Sequence, residues 1–175
     1  MRRFADGCVV DTNVAMTANG ANKSAGARCR AACARALQEI MASGHVCIDD
    51  AGHIVEEYRR NLRAGGQPGP GDAFLRWLLT HEWAPARVTR VSITPMAEDA
   101  GNFDEVPAEP NDVRYDPSDR KFIAVAAART PHPPIVQSFD SKWWGWREAL
   151  GAAGITLHFL CEREIEQKHL EKMTR

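Results

Sequence analysis

Nothing in this chain is both long and apolar. No hydrophobic run approaches the roughly 20 residues that a membrane-spanning helix needs, and Met1-Arg2-Arg3-Phe4-Ala5-Asp6 has no long apolar stretch behind its arginines. A soluble, cytoplasmic protein with no membrane partner is therefore expected. An excess of charge is missing too: 22 Lys and Arg face 23 Asp and Glu, a formal net charge of -1. Bulk positive charge thus cannot hold a nucleic acid, and a polyanionic partner would need local basic patches or bound cations. Internal repeats and low-complexity tracts are absent. The five cysteines are an odd number without the spacing of a disulfide framework, so reduced thiols are expected. Cys29 and Cys33, four apart on a predicted helix, are placed so that they could share a metal ion. Ala36, Leu37 and Ile40 continue the same helical face, however, which reads as core packing.

What is present is ordinary globular composition, 44% hydrophobic and 26% charged over 175 residues, enough for one compact domain with a full core. Short apolar runs alternate with segments of helical periodicity. Strands are expected at 7–10, 45–48, 87–93, 135–139 and 155–160, and helices at 24–43, after Asp49-Asp50 through Leu62, and at 72–82, 118–129, 143–153 and 162–173. The run from Gly65 to Gly71 reads as a loop, being rich in glycine and proline. Residues 94–112 break the alternation, with six acidic residues, three prolines and no basic residue; they are expected to form an irregular acidic surface excursion. Strands separated by helices predict a single α/β domain over 1–175, with a mostly parallel central sheet of about five strands flanked by helices on both faces.

In such sheets, chemistry collects at the carboxyl ends of the strands. Val9-Val10 runs into Asp11, and Val136-Gln137-Ser138-Phe139 runs into Asp140. Asp119 lies at the start of the helix before the fourth strand, and Glu56 and Glu57 lie on the helix after the second. Each has an ordinary alternative as a helix cap, a turn former or a surface ion-pair partner. Taken as a set, they would repel one another unless a divalent cation such as Mg²⁺ or Mn²⁺, which takes hard oxygen ligands, relieved the repulsion.

The ordered motifs Val-Val-Asp-Thr-Asn-Val (9–14), Ile-Val-Glu-Glu-Tyr (54–58), Asp-Arg-Lys-Phe-Ile-Ala-Val-Ala (119–126) and Pro-Ile-Val-Gln-Ser-Phe-Asp (134–140) together resemble a PIN domain. The resemblance spans nearly the whole chain. It implies a parallel α/β nuclease cutting RNA with Mg²⁺ or Mn²⁺, in a family where many bacterial members are toxins silenced by an antitoxin protein and where homodimers are frequent. Asp11, Glu57, Asp119 and Asp140 then match the four acidic positions as catalytic residues and metal ligands, with Glu57, before Tyr58, favoured over Glu56. Asn13 and Ser138 match supporting positions. Arg120, Lys121 and Arg60 are candidates for contacting the RNA backbone. One departure concerns the second metal: a further acid is common two positions beyond the fourth, and here that residue is Lys142. The cluster Trp143, Trp144 and Trp146 reads as core or partner surface, and with Trp77 and the last helix it offers contact surfaces for a second copy. A catalytically silent RNA-binding or protein-interaction module of the same fold is the rival expectation. A phosphatase is disfavoured, since Asp11-Thr12-Asn13 holds one carboxylate where an Asp-x-Asp pair is needed.

Overall fold

The chain is described here by a computed structural model covering residues 4–65, 68–110 and 112–174. Met1 to Arg3, Gly66 and Gln67 of the expected glycine-proline loop, Asn111 of the acidic segment and Arg175 lie outside the described residues. Five strands and seven helices follow in order: β1 (Val9–Val10), α1 (Thr12–Ala18), α2 (Ala27–Ser43), β2 (Val46–Asp49), α3 (His53–Asn61), α4 (Pro70–His81), β3 (Val88–Val91), α5 (Arg120–Ala128), β4 (Ile135–Gln137), α6 (Ser141–Ala152), β5 (Leu157–Phe159) and α7 (Glu162–Met173).

Strands β1, β2 and β4 are built mainly of Val, Ile and Cys and are buried throughout, as expected of parallel strands covered on both sides. All pairings are parallel. The expectation of one five-stranded sheet does not hold. The strands form a three-stranded sheet, β1-β4-β5, and a two-stranded sheet, β2-β3. They meet at a single parallel bridge between Cys8 and Val46, where Cys8 N–H donates to the His45 carbonyl at 3.0 Å and Cys47 N–H to the Cys8 carbonyl at 2.8 Å. The physical reason is the brevity of β1: two residues cannot sustain a ladder with β4 on one side and a second full ladder with β2 on the other. Because every pairing is parallel, the carboxyl ends of β1, β2 and β4 still open toward one side.

Helix α1 has no counterpart among the expected elements. It begins at the end of β1, with Asp11 as its N-cap, and packs on α2 and α4. The contact with α4 is close enough to require glycine: a Cβ on Gly71 would lie 2.3 Å from the Ala15 carbonyl oxygen. Helix α3 is started by Asp49 alone, whose two oxygens accept from His53 N–H (2.7 Å) and Ile54 N–H (2.8 Å). Gly52, at φ 90°, makes the left-handed turn between them. Tyr58 of α3 donates its hydroxyl to the Val10 carbonyl, tying α3 to the end of β1.

One further expectation is corrected. Cys29 and Cys161 are joined by a disulfide, leaving Cys8, Cys33 and Cys47 as free buried thiols; residues 132 positions apart meet because the start of α7 folds back onto α2. Trp143, Trp144 and Trp146 are buried, with Trp146 edge-on to both Trp143 and Tyr115, as the core reading of this cluster expects. The acidic segment is irregular, with one bridge between Pro95 and Phe103, but it is anchored: Phe103 is buried against the His53 ring, and Arg120 holds Asp99 and Glu109. Among the described residues, no helix is long and apolar enough to cross a membrane.

Candidate functional site

Asp11 ends β1 and begins α1. The position makes it a cap as well as a site residue: Oδ1 accepts the Asn13 backbone N–H at 2.8 Å, leaving Oδ2 outside the cap. The carboxyl group is 1% exposed. Burial pushes its pKa up to about 8, and the neighbouring charges of Asp119 and Glu57 push the same way, against the Asn13 hydrogen bond and the nearby Gln137 amide. Asp140 repeats the arrangement at the end of the β4 segment, its Oδ1 capping α6 through Lys142 N–H at 3.0 Å. The cap and ligand readings are thus compatible, since each cap uses one oxygen of two.

Asp119 precedes α5 without making a side-chain cap. Instead its Oδ2 lies 2.9 Å from Lys142 Nζ, which also reaches Asp116 Oδ2 at 2.9 Å and Asp140 Oδ2 at 3.7 Å. Burial raises the Asp119 pKa to about 6; Lys142 opposes that rise, while Asp140 and Asp116 add to it. The more exposed Asp116 is held at about 2 by hydrogen bonds from Lys142 and Ser118.

Glu57 and Glu56 are sorted by geometry. Glu56 is exposed and pairs with Arg59 at 3.2 Å. Glu57 turns inward, accepting the Thr12 hydroxyl at 2.6 Å and pairing with Lys121, and its charge is felt at Asp11. Asp11, Glu57, Asp119 and Asp140 therefore form a connected series, Glu57 beside Asp11, Asp11 beside Asp119, and Asp119 beside Asp140 across Lys142. The series is open. Among the described residues, the one group of three or more potential metal ligands with all its ligand atoms within 4.8 Å of one another is Cys29, Cys33 and Cys161.

The other expected residues have specific placements. Asn13 serves Asp11 through its backbone, and no side-chain hydrogen bond of Asn13 is found among the described residues. Ser138 faces Thr17, hydroxyl to hydroxyl at 3.2 Å, which fastens α1 to the β4 edge. Arg120 is committed to Asp99 (3.1 Å), Glu109 (3.3 Å) and the Tyr115 carbonyl (3.1 Å). Lys121 is mostly buried between Glu57 and the Ser118 carbonyl. Arg60 is exposed and lines a hollow of about 220 Å³ with Lys121, His53, Glu56 and Phe103.

Sequence reasoning passed over Asp116, Thr12 and Gln137. Gln137 is fully buried at the end of β4 with neither amide atom hydrogen-bonded, and the buried Ser141 hydroxyl beside Asp140 is also without a partner. A buried glutamine ending a strand of Ile and Val was a usable signal, since such a side chain needs a polar neighbour.

An oxygen-only donor set suits a hard divalent cation. The buried Asp11 carboxyl, with the charges of Asp119 and Glu57 acting on it and no ion pair to a lysine or arginine among the described residues, is the group most open to such an ion, although no three of these carboxylates bring ligand oxygens within 4.8 Å of one another. Compared with family models, curated proteins and solved structures, the chain matches none.

Proposed function

We propose that the chain is a metal-dependent endoribonuclease of PIN type, hydrolysing RNA phosphodiester bonds. The reading rests chiefly on one observation: Asp11, buried at the end of β1, carries a carboxyl whose pKa is raised to about 8 by burial and by the charges of Asp119 and Glu57, with Asp140 beside Asp119 across Lys142. The order in which the strands meet, β3-β2-β1-β4-β5 counting the Cys8 bridge, is in keeping with it.

Asp11, Glu57, Asp119 and Asp140 would hold Mg²⁺ or Mn²⁺, which when bound supplies positive charge against the phosphate and acidifies a water. Asp119, whose pKa burial raises to about 6, would be the group placed to take a proton from water there. Lys142 holds Asp116 ionised and supplies a fixed positive charge between Asp119 and Asp140. Thr12 holds Glu57 in place. Arg60 and Lys121, on the adjoining hollow, offer the phosphate contacts; Arg120 acts through the acidic segment it holds. Attack by water leaves a 5′-phosphate and a 3′-hydroxyl. The activity is toxin-like, with an antitoxin segment as the natural inhibitor and a second copy of the chain as a further partner, and cytoplasmic RNA is the substrate.

One observation favours the silent RNA-binding or protein-interaction module: Lys142 and Lys121 already stand against three of the acids. Labelled single-stranded RNA incubated with Mn²⁺ or Mg²⁺ separates the two. Cleavage that needs the ion and is lost in Asp11→Asn and Asp140→Asn supports the nuclease. Cleavage persisting in chelator, or unchanged in both variants, defeats the metal mechanism, and binding without cleavage establishes the silent module.

A further inference from the structure

Three sulfurs share one buried spot. Cys29 and Cys33 stand one turn apart on α2, and Cys161 comes from the N-cap of α7. All three are at most 2% exposed, and their sulfurs lie within 4.8 Å of one another, Cys33 Sγ being 4.0 Å from Cys161 Sγ. A disulfide uses two sulfurs and leaves the third without a role. A cation would use all three. Glu164, one turn into α7, lines the same hollow as Cys29 and Cys161 but lies outside the group of ligand atoms within 4.8 Å, so the fourth position is left to a water. The cluster borders a hollow of about 710 Å³ that gives an entry path, lined by Cys29 and Cys161 and by Arg28, Arg35 and Arg163. Those arginines offset the single negative charge that three thiolates would leave around a divalent ion.

We propose that Cys29, Cys33 and Cys161, in the reduced protein, form a thiolate site for one borderline-soft divalent cation of the zinc class, with a water in the fourth position, and that the Cys29–Cys161 disulfide is the oxidised form of the same site. Three thiolates and a water suit a tetrahedral ion. The interconversion balances. An external dithiol supplies two electrons and two protons, the Cys29–Cys161 bond opens to two thiols, and the dithiol becomes a disulfide; metal binding then releases the three thiol protons to solvent. Because α7 reaches α2 through Cys161, the ion replaces one cross-link with another.

The test uses the full chain and Co²⁺ as the probe, since cobalt bound to thiolates shows a sulfur-to-metal charge-transfer band and the visible bands of a tetrahedral ion. Protein reduced with a phosphine is expected to take up one Co²⁺ per chain with both features and to release it to one equivalent of Zn²⁺. Oxidised protein is expected to show neither. Cys33→Ser, which leaves the disulfide pair intact, is expected to abolish the charge-transfer band in the reduced protein, whereas Cys47→Ser retains it. Fully reduced wild-type protein, with five titratable thiols after denaturation, that gives no such band overturns the proposal, as does a band that survives Cys33→Ser. Cobalt held by the carboxylates gives no thiolate band, so this outcome is independent of RNA cleavage.

Discussion

Replacing Asp11 by asparagine should make the ion-free protein more stable while abolishing RNA cleavage. The Asp11 carboxyl is 1% exposed, and its pKa rises from 3.8 to about 8 on folding. A carboxyl whose folded pKa is raised favours the folded state fully only below its unfolded pKa, and that favour is lost as pH rises toward the folded pKa. From pH 3.8 to pH 7 is about three pH units, each worth about 1.4 kcal/mol, so at pH 7 the folded protein forgoes about 4 kcal/mol. Asparagine keeps an oxygen for the Asn13 N–H and has no proton to lose. Urea unfolding in chelator should therefore show Asp11→Asn gaining on the wild type from pH 5 to pH 8, by up to about 4 kcal/mol at pH 7. Saturating Mn²⁺ should shrink or reverse the gap, because an ion at a hundred times its dissociation constant adds about 2.7 kcal/mol to the protein that binds it. A variant less stable than wild type in chelator at pH 8, or a gap independent of pH, would refute the assignment of Asp11 as a buried carboxyl without a cation.

Other substitutions read the geometry more locally. Glu57→Gln should lower cleavage by about 10²-fold or more, while Glu56→Gln, on the exposed Arg59 pair, should leave it near wild type in the same assay. Gly71→Ala forces a Cβ against the Ala15 carbonyl and should cost about 1–3 kcal/mol in denaturant unfolding. Tyr58→Phe leaves the Val10 carbonyl without its hydroxyl donor and should cost about 1 kcal/mol by the same measurement. Reducing Cys29–Cys161 in metal-free buffer frees a loop closed across 132 residues, an effect of at most about 5 kcal/mol from chain entropy; thermal unfolding with and without reductant should show a clear fall in midpoint.

The parts of the fold that were legible are those with long-range periodicity. Helix α2 carries Cys29, Cys33, Leu37 and Ile40 on one buried face, and α7 has the bounds its charge pattern suggests. Helix α1 was not legible, because its seven residues span two turns, too few for a periodic stripe to emerge. The division of the sheet was hidden for a similar reason: a two-residue strand looks in sequence like the start of a longer one. Strand-end aspartates proved an incomplete signal. Asp49 ends β2 as Asp11 ends β1, yet both its oxygens are used to start α3. Only a partner count separates a satisfied cap from a carboxyl with oxygen to spare. Asp116 and Lys142 depend on a contact between residues 26 apart, which no local pattern encodes.

The balance of charge around the edge gives a sharper test of whether a cation belongs there. Asp11, Glu57, Asp116, Asp119 and Asp140 are five acids, against which stand the ammonium groups of Lys121 and Lys142. Three negative charges would remain if all five were ionised, and a buried site tolerates that only by binding protons or a cation. The raised pKa of Asp11, about 8, identifies the main proton carrier, and Asp119, at about 6, holds a smaller share at neutral pH. A divalent ion bound at these carboxylates must displace what they carry. Titration with Mn²⁺ in weakly buffered solution at pH 7 should therefore release about one proton per chain, with the release falling as pH rises past 8 and disappearing in Asp11→Asn. Alkylating the thiols beforehand keeps the cysteine cluster out of the measurement. Binding of Mn²⁺ without proton release would place the ion elsewhere, and release undiminished in Asp11→Asn would mean that another group carries the proton.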